Sequence, residues 1–323
     1  MTDNSRFLEV KDLKKYFPSK INFLASNTPP VRAVDGISFT IKKGETLGLV
    51  GESGCGKSTA ARTLLRLETP TSGSVYFKGK NLASLSEAEL RNQRKEMQMI
   101  FQDPFSSINP RRKIGEVLRE PFAIHGFKEN VSEAITKLLD QVGLSSDYVN
   151  RYSHEMSGGQ LQRVGIARAI ALNPALVVAD EPVSALDVSI QAQIINLMMD
   201  FREKMGIAFL FISHDMSIVE YFCDRVAVMY LGKIVEIASS EEIYKRPEHP
   251  YTEALLNAVP GLDSGQTKQK LKVRGDIPDP SNPPKGCSFN TRCPLKEKQC
   301  EEIEPTLKEI APGHHVACIL KEG

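Results

Sequence analysis

Residues 46–58 read TLGLVGESGCGKS, an apolar strand pattern that runs directly into a glycine-rich loop. The loop, Gly51 to Ser58, fits the pattern G-x-x-x-x-G-K-[ST], and the residues after it have helical spacing of alanine and leucine. Glycines let such a loop curl so that successive N–H groups face phosphate oxygens, and the helix adds the positive end of its dipole. The segment therefore predicts an α/β fold with a phosphate-binding loop.

The loop supplies most of the predicted contacts to a nucleotide and its metal ion. Lys57 is placed to reach the β and γ phosphates, and the Ser58 hydroxyl to ligate Mg²⁺. The other predicted contacts in the loop are Gly51, Ser53, Gly54, Cys55, Gly56 and Thr59. Cys55 occupies a variable position of the pattern, so we interpret it as a small packing residue without a redox role.

Two adjacent acids end a second apolar strand pattern, at residues 175–179. Pro182 follows Asp180 and Glu181 and stops strand pairing, which leaves both acids at the carboxyl end of the strand. One carboxylate there can hold Mg²⁺, and the other can take a proton from a water that attacks the γ-phosphate. We assign Asp180 to the metal ion and Glu181 to the water. Without the phosphate loop, a solvated acidic turn would be the better interpretation.

A second glycine-framed helix start lies further along the chain. Ser157-Gly158-Gly159-Gln160 precedes an amphipathic pattern at residues 161–172, and Ser157 is well placed to cap that helix. The helix N-terminus could bind a second anion. One nucleotide in one monomer does not need two such sites, and the alternative is an ordinary capped helix.

Composition and charge narrow the class of protein. The 323 residues correspond to about two domains, and 41 Lys and Arg against 40 Asp and Glu leave a formal charge of +1. This balance gives no support to a protein that coats nucleic acid. No apolar run approaches the ~18 to 20 residues that cross a bilayer. Residues 1–6 lack signal-peptide features, so we expect a cytoplasmic location with reduced thiols.

Patterns outside the loop indicate the order of the other elements. They are antiparallel strands at 7–10 and 33–41, a mainly helical region at 87–150 with an irregular loop at 103–110, a helix at 190–204 and a strand at 208–212. Residues 275–286 carry four prolines and predict an extended linker.

Taken in order, these motifs resemble those of an ATP-binding cassette ATPase over about residues 5–250. The matching positions are the phosphate loop, Gln102, residues 156–160, Asp180 and Glu181, residues 184–187, and His214. The resemblance implies ATP and Mg²⁺ as ligands and a nucleotide-binding domain over residues 1–250. Such a domain has a RecA-like core, an antiparallel β subdomain and a helical subdomain, here at about residues 103–170. A small cysteine-rich extension would occupy residues 251–323.

In that family two such domains meet head to tail, and each ATP lies between the phosphate loop of one and the signature segment of the other. The resemblance implies that Ser157, Gly158, Gly159 and Gln160 bind an ATP held by a partner chain. It also implies that Asp187 contacts the opposing phosphate loop.

The same resemblance implies three further roles. Gln102 corresponds to the glutamine that contacts Mg²⁺ and the attacking water, and His214 to the histidine that contacts the γ-phosphate. The family stacks adenine on an aromatic residue near the first strand. Phe17 aligns best with it, and the adjacent Tyr16 is the alternative.

Three segments resemble the ATPase subunits of bacterial oligopeptide and dipeptide importers: residues 101–110, 179–193 and 249–252. The second of them looks most like the second, F-type, ATPase of such systems. The resemblance implies a homologous ATPase partner, two integral membrane permeases and, through these, an extracytoplasmic solute-binding protein. It places the chain peripherally on the cytoplasmic face of the cell inner membrane, with no direct nucleic-acid partner.

Four cysteines cluster near the C-terminus, at Cys287, Cys293, Cys300 and Cys318. Their gaps are too wide for the paired knuckles of a zinc ribbon, but four thiolates can ligate Zn²⁺ or a [4Fe–4S] cluster. The importer resemblance implies a [4Fe–4S] cluster. Zn²⁺, with His314 and His315 as substitute ligands, and a site without metal remain alternatives.

Other functions use the same phosphate loop. A soluble cassette ATPase that acts on DNA or ribosomes would usually have a long coiled coil or two cassettes, and the sequence has neither. A kinase or GTPase would leave residues 157–160 unexplained. Within the importer reading, nickel or another solute could replace peptides.

Overall fold

The computed structural model describes residues 7–18, 29–127, 130–259, 273 and 275–321. The described residues form two compact units. The first unit lies within Met1–Ile41, Thr46–Ala83 and Ser213–Gly323, and the second within Lys42–Glu45 and Ser84–Ile212.

Strands and helices occur in both units. The strands are β1 (Leu8–Phe17), β2 (Val31–Ile41), β3 (Thr46–Val50), β4 (Ser72–Phe77), β5 (Lys80–Asn81), β6 (Met97–Ile100), β7 (Leu176–Asp180), β8 (Ala208–Ser213), β9 (Arg225–Tyr230), β10 (Lys233–Ser239), β11 (Lys308–Ala311) and β12 (His314–Val316). The helices are α1 (Lys57–Leu64), α2 (Glu87–Gln93), α3 (Pro104–Ser107), α4 (Ile114–Ile124), α5 (Val131–Gln141), α6 (Gly158–Ile170), α7 (Val188–Met205), α8 (Met216–Phe222), α9 (Ser240–Lys245) and α10 (Pro250–Asn257).

An antiparallel sheet in the first unit has the strand order β2-β1-β4-β5. The sequence pattern at residues 7–10 is only the beginning of β1, which continues to Phe17. Its pairing with β2 shifts register between Val10 and Leu13, and Asp12 in this stretch has a φ of 43°. Such a bulge interrupts the alternation of apolar and polar residues, which explains why the sequence pattern showed only part of the strand.

The phosphate loop follows a strand that is buried on both faces. The remaining strands of the first unit lie in the order β11-β12-β10-β9-β3, and β3 pairs in parallel with β9. All five residues of β3 are buried. Continuous burial accounts for the apolar run in the sequence, and it anchors the residue at which the loop begins.

Three parallel strands in the second unit lie in the order β8-β7-β6. Strand β6 falls inside the region that the sequence predicted to be mainly helical. Its four residues, MQMI, are too few to distinguish a strand from part of a helix by periodicity. The predicted helix at 190–204 is confirmed as α7, which ends at Gly206 in a left-handed conformation typical of a helix C-terminus.

Residues 275–286 contain neither helix nor strand. The segment is hydrogen-bonded to β2 at Arg32, whose N–H donates a hydrogen bond of 3.2 Å to the Pro280 carbonyl oxygen. Among the helices in the described ranges, none combines the length and the apolar character that crossing a bilayer requires.

Candidate functional site

The phosphate loop has a backbone that only glycine accommodates at two positions. Gly51 has a φ of 153° and Gly56 a φ of 110°. A Cβ atom on Gly51 would lie 2.2 Å from the Met229 carbonyl oxygen, and one on Gly56 would lie 2.0 Å from the Ala33 carbonyl oxygen. The loop is therefore curled tightly against the strands beside it, as a site built from backbone N–H groups requires.

Lys57 begins helix α1 and is only 5% exposed. Its ammonium group donates hydrogen bonds to the carbonyl oxygens of Gly51, at 2.8 Å, and Glu52, at 3.0 Å. The Cys55 sulfur lies 3.9 Å from the same nitrogen. Burial raises the pKa of the Cys55 thiol, so it stays neutral, which agrees with the packing role predicted for it. Ser58 follows in the first turn of α1.

The second unit brings Gln102 and Glu181 together. The Gln102 side-chain amide donates a 2.9 Å hydrogen bond to the Glu181 carboxylate. Asp180 is 2% exposed at the end of β7, and Glu181 follows it with a φ of 46°, unusual for a residue with a side chain. The Glu181 N–H donates 3.0 Å to the Ile212 carbonyl oxygen of the neighbouring strand. This bond stabilises the turn at Glu181. The two adjacent acids differ in solvent exposure, since Asp180 is buried and Glu181 is half-buried.

Ser157 is the N-cap of helix α6, as the sequence predicted. Its hydroxyl accepts a hydrogen bond from the Gln160 N–H at 3.3 Å, and the Gln160 side chain accepts from the Ser157 N–H at 3.0 Å. This reciprocal pairing is a capping box. A Cβ on Gly159 would lie 2.7 Å from the Ile190 Cγ2 atom, so close packing against α7 requires glycine there.

Asp187 and His214 each stand beside a helix start. The Asp187 carboxylate caps α7, and its bonds from the Ile190 N–H, at 3.0 Å, and the Ser189 hydroxyl lower its pKa. Asp187 is exposed. His214 follows β8 and is exposed, while its neighbour Asp215 caps α8.

The two aromatic candidates for adenine have different surroundings. The Tyr16 hydroxyl donates a hydrogen bond to the Asp35 carboxylate. Burial, followed by this bond, raises the pKa of Tyr16 to about 12. Phe17 ends β1, is half-buried and carries the Lys15 ammonium 4.7 Å above its ring centroid. The Tyr16 side chain is thus hydrogen-bonded within its own sheet, and the Phe17 ring is the better candidate for stacking with adenine.

The four clustered cysteines are close enough to influence one another's charge. Burial, together with smaller effects of the Cys318, Cys293 and Cys300 thiols, raises the pKa of Cys287 to about 11. All four are free thiols. The described ranges nevertheless contain no group of three or more His, Cys, Asp or Glu side chains arranged to hold a metal ion. The predicted [4Fe–4S] cluster and its zinc alternative therefore receive no support from the arrangement.

One of the two histidines proposed as substitute zinc ligands, His314, has another partner. His314 is 1% exposed, and its Nε2 atom lies 2.7 Å from the carboxylate of Glu236, which is fully buried. The same carboxylate accepts hydrogen bonds from the Glu248 N–H at 2.8 Å and the His249 N–H at 2.9 Å. Buried acids need such partners, so the structure assigns His314 to Glu236.

Lowering the pH should destabilise the fold through His249. Its Nδ1 accepts a hydrogen bond from the Tyr251 N–H at 3.1 Å, and burial lowers its pKa to about 4 despite the nearby Glu236 carboxylate. Below pH 6.5, the ordinary pKa of histidine, His249 binds a proton in the unfolded chain but stays neutral in the folded chain. The free energy of unfolding therefore falls between about pH 6.5 and 4. The loss is on the order of 3 kcal/mol.

Urea unfolding at pH 7.5 and pH 5 captures about 2 kcal/mol of this loss, with His249→Asn as the matched variant. Asparagine can cap helix α10 but does not titrate. The variant should lose less stability than the wild type on acidification. An equal loss in both proteins would assign the effect to Glu236, His314 or other groups.

Two family models match the chain. One, described as ABC transporter, matches residues 34–184, and the other, described as the C-terminal region of oligopeptide/dipeptide transporters, matches residues 235–300. Among similar proteins, the oligopeptide transport ATP-binding protein AppF of Bacillus subtilis is 53% identical over 318 residues, 97% of each chain. A putative peptide import ATP-binding protein of Brucella ovis is 52% identical over 314 residues, again 97% of each chain.

Solved structures share the architecture. The dimeric post-hydrolysis state of the ATP-binding cassette MJ0796, bound to ADP and phosphate, superimposes with a TM-score of 0.64 at 25% identity. It covers 72% of this chain and 98% of that one. CbiO1 of Clostridium perfringens gives the same TM-score at 25% identity, with coverage of 75% and 92%. The α/β fold predicted from the phosphate loop is thereby confirmed.

Proposed function

Because this chain belongs to the family of ATP-binding proteins of ABC transporters, we propose that it hydrolyses ATP to drive peptide import through membrane permeases. The observation that carries the proposal is the match to AppF, which extends over 97% of both chains and includes the C-terminal region as well as the cassette. A soluble cassette acting on DNA or ribosomes would not require that C-terminal region. ATP hydrolysis is the family's chemistry, and peptide is the solute named in the relatives' descriptions.

The phosphate loop is the proposed binding site for MgATP. Its curled backbone offers N–H groups to the phosphates, Lys57 supplies the charge that meets the β and γ phosphates, and the Ser58 hydroxyl would ligate Mg²⁺. Asp180 would hold the same ion through water. We assign adenine stacking to Phe17, since the Tyr16 hydroxyl is bonded to Asp35.

Glu181 is the proposed general base. Its carboxylate accepts a hydrogen bond from the Gln102 amide. Because the amide is neutral, this bond can orient the carboxylate and leave it ionised and able to accept a proton. Gln102 would then contact the attacking water and Mg²⁺ through the rest of its amide. His214 would contact the γ-phosphate.

We propose that two cassettes pair head to tail on ATP. The start of α6, residues 157–160, would bind the γ-phosphate of an ATP seated in the partner, and Asp187 would contact the partner's phosphate loop. Each of these groups is already used within its own helix cap, yet Ser157 and Asp187 both lie on an exposed surface. The dimeric state of MJ0796 supports pairing of this kind.

The proposed partners are a second homologous ATPase, two integral permeases and an extracytoplasmic solute-binding protein that reaches this chain only through the permeases. The chain would be peripheral, on the cytoplasmic face of the inner membrane. Purification from membranes through a tag on this chain tests the assembly. Recovery of two permeases and a second ATPase would support it, while ribosomes or DNA in their place would favour the rival function. Uptake of labelled peptides against nickel then tests the solute.

We retain a [4Fe–4S] cluster as a proposal for Cys287, Cys293, Cys300 and Cys318. It is supported by the softness of four sulfur donors that cluster in the sequence, and their arrangement in the structure adds no support. No step of ATP hydrolysis depends on it. The protein purified without air should carry about four iron atoms per chain and absorb visible light if the proposal is right. A colourless protein with one zinc, or with no metal, would reject it.

A further inference from the structure

Glu52, the second residue of the phosphate loop, is held at three points. Its N–H donates a hydrogen bond to the Tyr251 hydroxyl at 2.9 Å. Its carboxylate accepts two bonds from the Arg292 guanidinium, at 2.8 and 3.1 Å. Its carbonyl oxygen accepts the Lys57 ammonium at 3.0 Å. No role for Glu52, Tyr251 or Arg292 in the nucleotide site was predicted from the sequence.

Tyr251 is fixed by its own packing. The residue is completely buried at the start of α10. Its ring centroid lies 4.7 Å from that of Tyr230 and 5.4 Å from that of Phe289. A side chain enclosed by two aromatic rings cannot change rotamer without displacing them, so the hydroxyl is a rigid acceptor for the loop.

Arg292 is equally constrained. Only 10% of its side chain is exposed, and its guanidinium lies 5.8 Å from the centroid of the Tyr230 ring. Its N–H donates 3.0 Å to the Phe289 carbonyl oxygen. Burial favours loss of its charge, but the interactions with Glu52 and, after it, Tyr230 outweigh burial and raise its pKa. A two-point guanidinium–carboxylate pair fixes direction as well as distance.

We propose that Tyr251 and Arg292 are positioning residues of the ATP site, which fix Glu52 and thereby orient the Lys57 ammonium toward the phosphates. An ammonium group has three N–H donors. Two of them are bound to the carbonyl oxygens of Gly51 and Glu52, and the Cys55 sulfur lies 3.9 Å from the nitrogen, so the direction in which the ammonium points depends on where the loop holds those oxygens. The inference deepens the proposed function and rests on it.

A consequence is that the C-terminal extension contributes to nucleotide affinity. Arg292 immediately precedes Cys293, one of the four clustered cysteines. We call the contacts of Tyr251 and Arg292 with Glu52 the Glu52 clamp. Its members are far apart in sequence, since Tyr251 lies 199 residues from Glu52 and Arg292 lies 240 residues from it. Two residues of the extension therefore contact the phosphate loop directly.

The test is ATP binding by the full-length chain and steady-state ATP hydrolysis by the purified transporter. Arg292→Ala and Tyr251→Phe should each raise the Kd and KM for ATP about tenfold, with kcat changed less than about threefold, because the chemistry is untouched while the lysine is less well oriented. Tyr251→Phe keeps the ring and removes only the hydroxyl. Arg292→Lys should recover part of the affinity, since one charged contact remains.

Lys296→Ala is the matched control, since it breaks an ion pair with Glu301 in the same extension without touching the loop. Its affinity should equal that of the wild type. In the background of Glu52→Ala, Arg292→Ala should have no further effect, as expected for two partners in one contact. Thermal unfolding reports whether each variant folds. If Arg292→Ala does not fold, the affinity of Tyr251→Phe alone decides the test.

Unchanged Kd and KM in Tyr251→Phe and Arg292→Ala would overturn the inference, as would an equal loss in Lys296→Ala. Failure of the wild-type chain to bind or hydrolyse ATP would instead overturn the proposed function. The two failures are therefore distinguishable.

Discussion

Glu181→Gln should bind ATP normally but hydrolyse it at least about 100-fold more slowly in the purified transporter. Glutamine has nearly the same shape as glutamate and can still bond to Gln102, but it cannot take the proton from an attacking water. The step that fails is proton transfer, so the expected change lies in kcat. Phosphate release under saturating ATP and a separate ATP titration measure the two quantities.

The matched control is Glu203→Gln, which neutralises an exposed acid on α7 in the same unit. It should leave both ATP binding and turnover unchanged. Normal turnover by Glu181→Gln would remove Glu181 from its proposed role. Loss of ATP binding in Glu181→Gln would show that the Glu181 carboxylate also contributes to the affinity for ATP before hydrolysis.

Gly56→Ala should destabilise the first unit and abolish ATP binding. The new Cβ would lie 2.0 Å from the Ala33 carbonyl oxygen, and the residue would have to keep a φ of 110°. Backbone atoms cannot move aside as a flexible side chain can, so the loop must open. We expect a loss of about 3 kcal/mol or more in the free energy of unfolding.

Gly54→Ala separates the two causes of that loss. Gly54 has a φ of 81° in the same loop, but nothing lies within 4 Å of the position of its Cβ. It should cost only about 1 kcal/mol, the strain of the backbone alone. Equal losses in urea unfolding would assign the effect to φ rather than to the contact with Ala33. No loss in Gly56→Ala would contradict the curled loop.

Local patterns were sufficient for the phosphate loop, for the buried strands β3, β7 and β8, and for the cap at Ser157. The order strand, loop, helix at residues 46–67 depends on neighbours in sequence, and so does the cap that Ser157 makes for α6. Periodicity failed where a bulge broke β1 and where β6 was too short to show a pattern. In both cases the missing information was the partner strand.

The family resemblance suggested Gln102 and the end of a strand pattern suggested Glu181, but the 2.9 Å bond between them spans 79 residues and has no trace in either pattern. The cysteine pattern drew attention to the extension, and His314 was read with it as a substitute ligand. The pairing of His314 with Glu236 became visible only when β10 and β12 were seen side by side. A buried acid surrounded by apolar letters was the one signal that could have suggested a buried partner.

The linear order of residues was enough to predict a phosphate-binding loop, because phosphate binding depends on backbone amides that a short glycine-rich segment can present, and the resemblance of the ordered motifs then indicated a cassette ATPase. Folding in three dimensions was needed to reveal the clamp on Glu52, where a tyrosine and an arginine from the C-terminal region meet the loop. Hydrogen bonds act over about 3 Å, whereas the chain brings these groups together from sites about 200 residues away, so no local pattern could encode the contact.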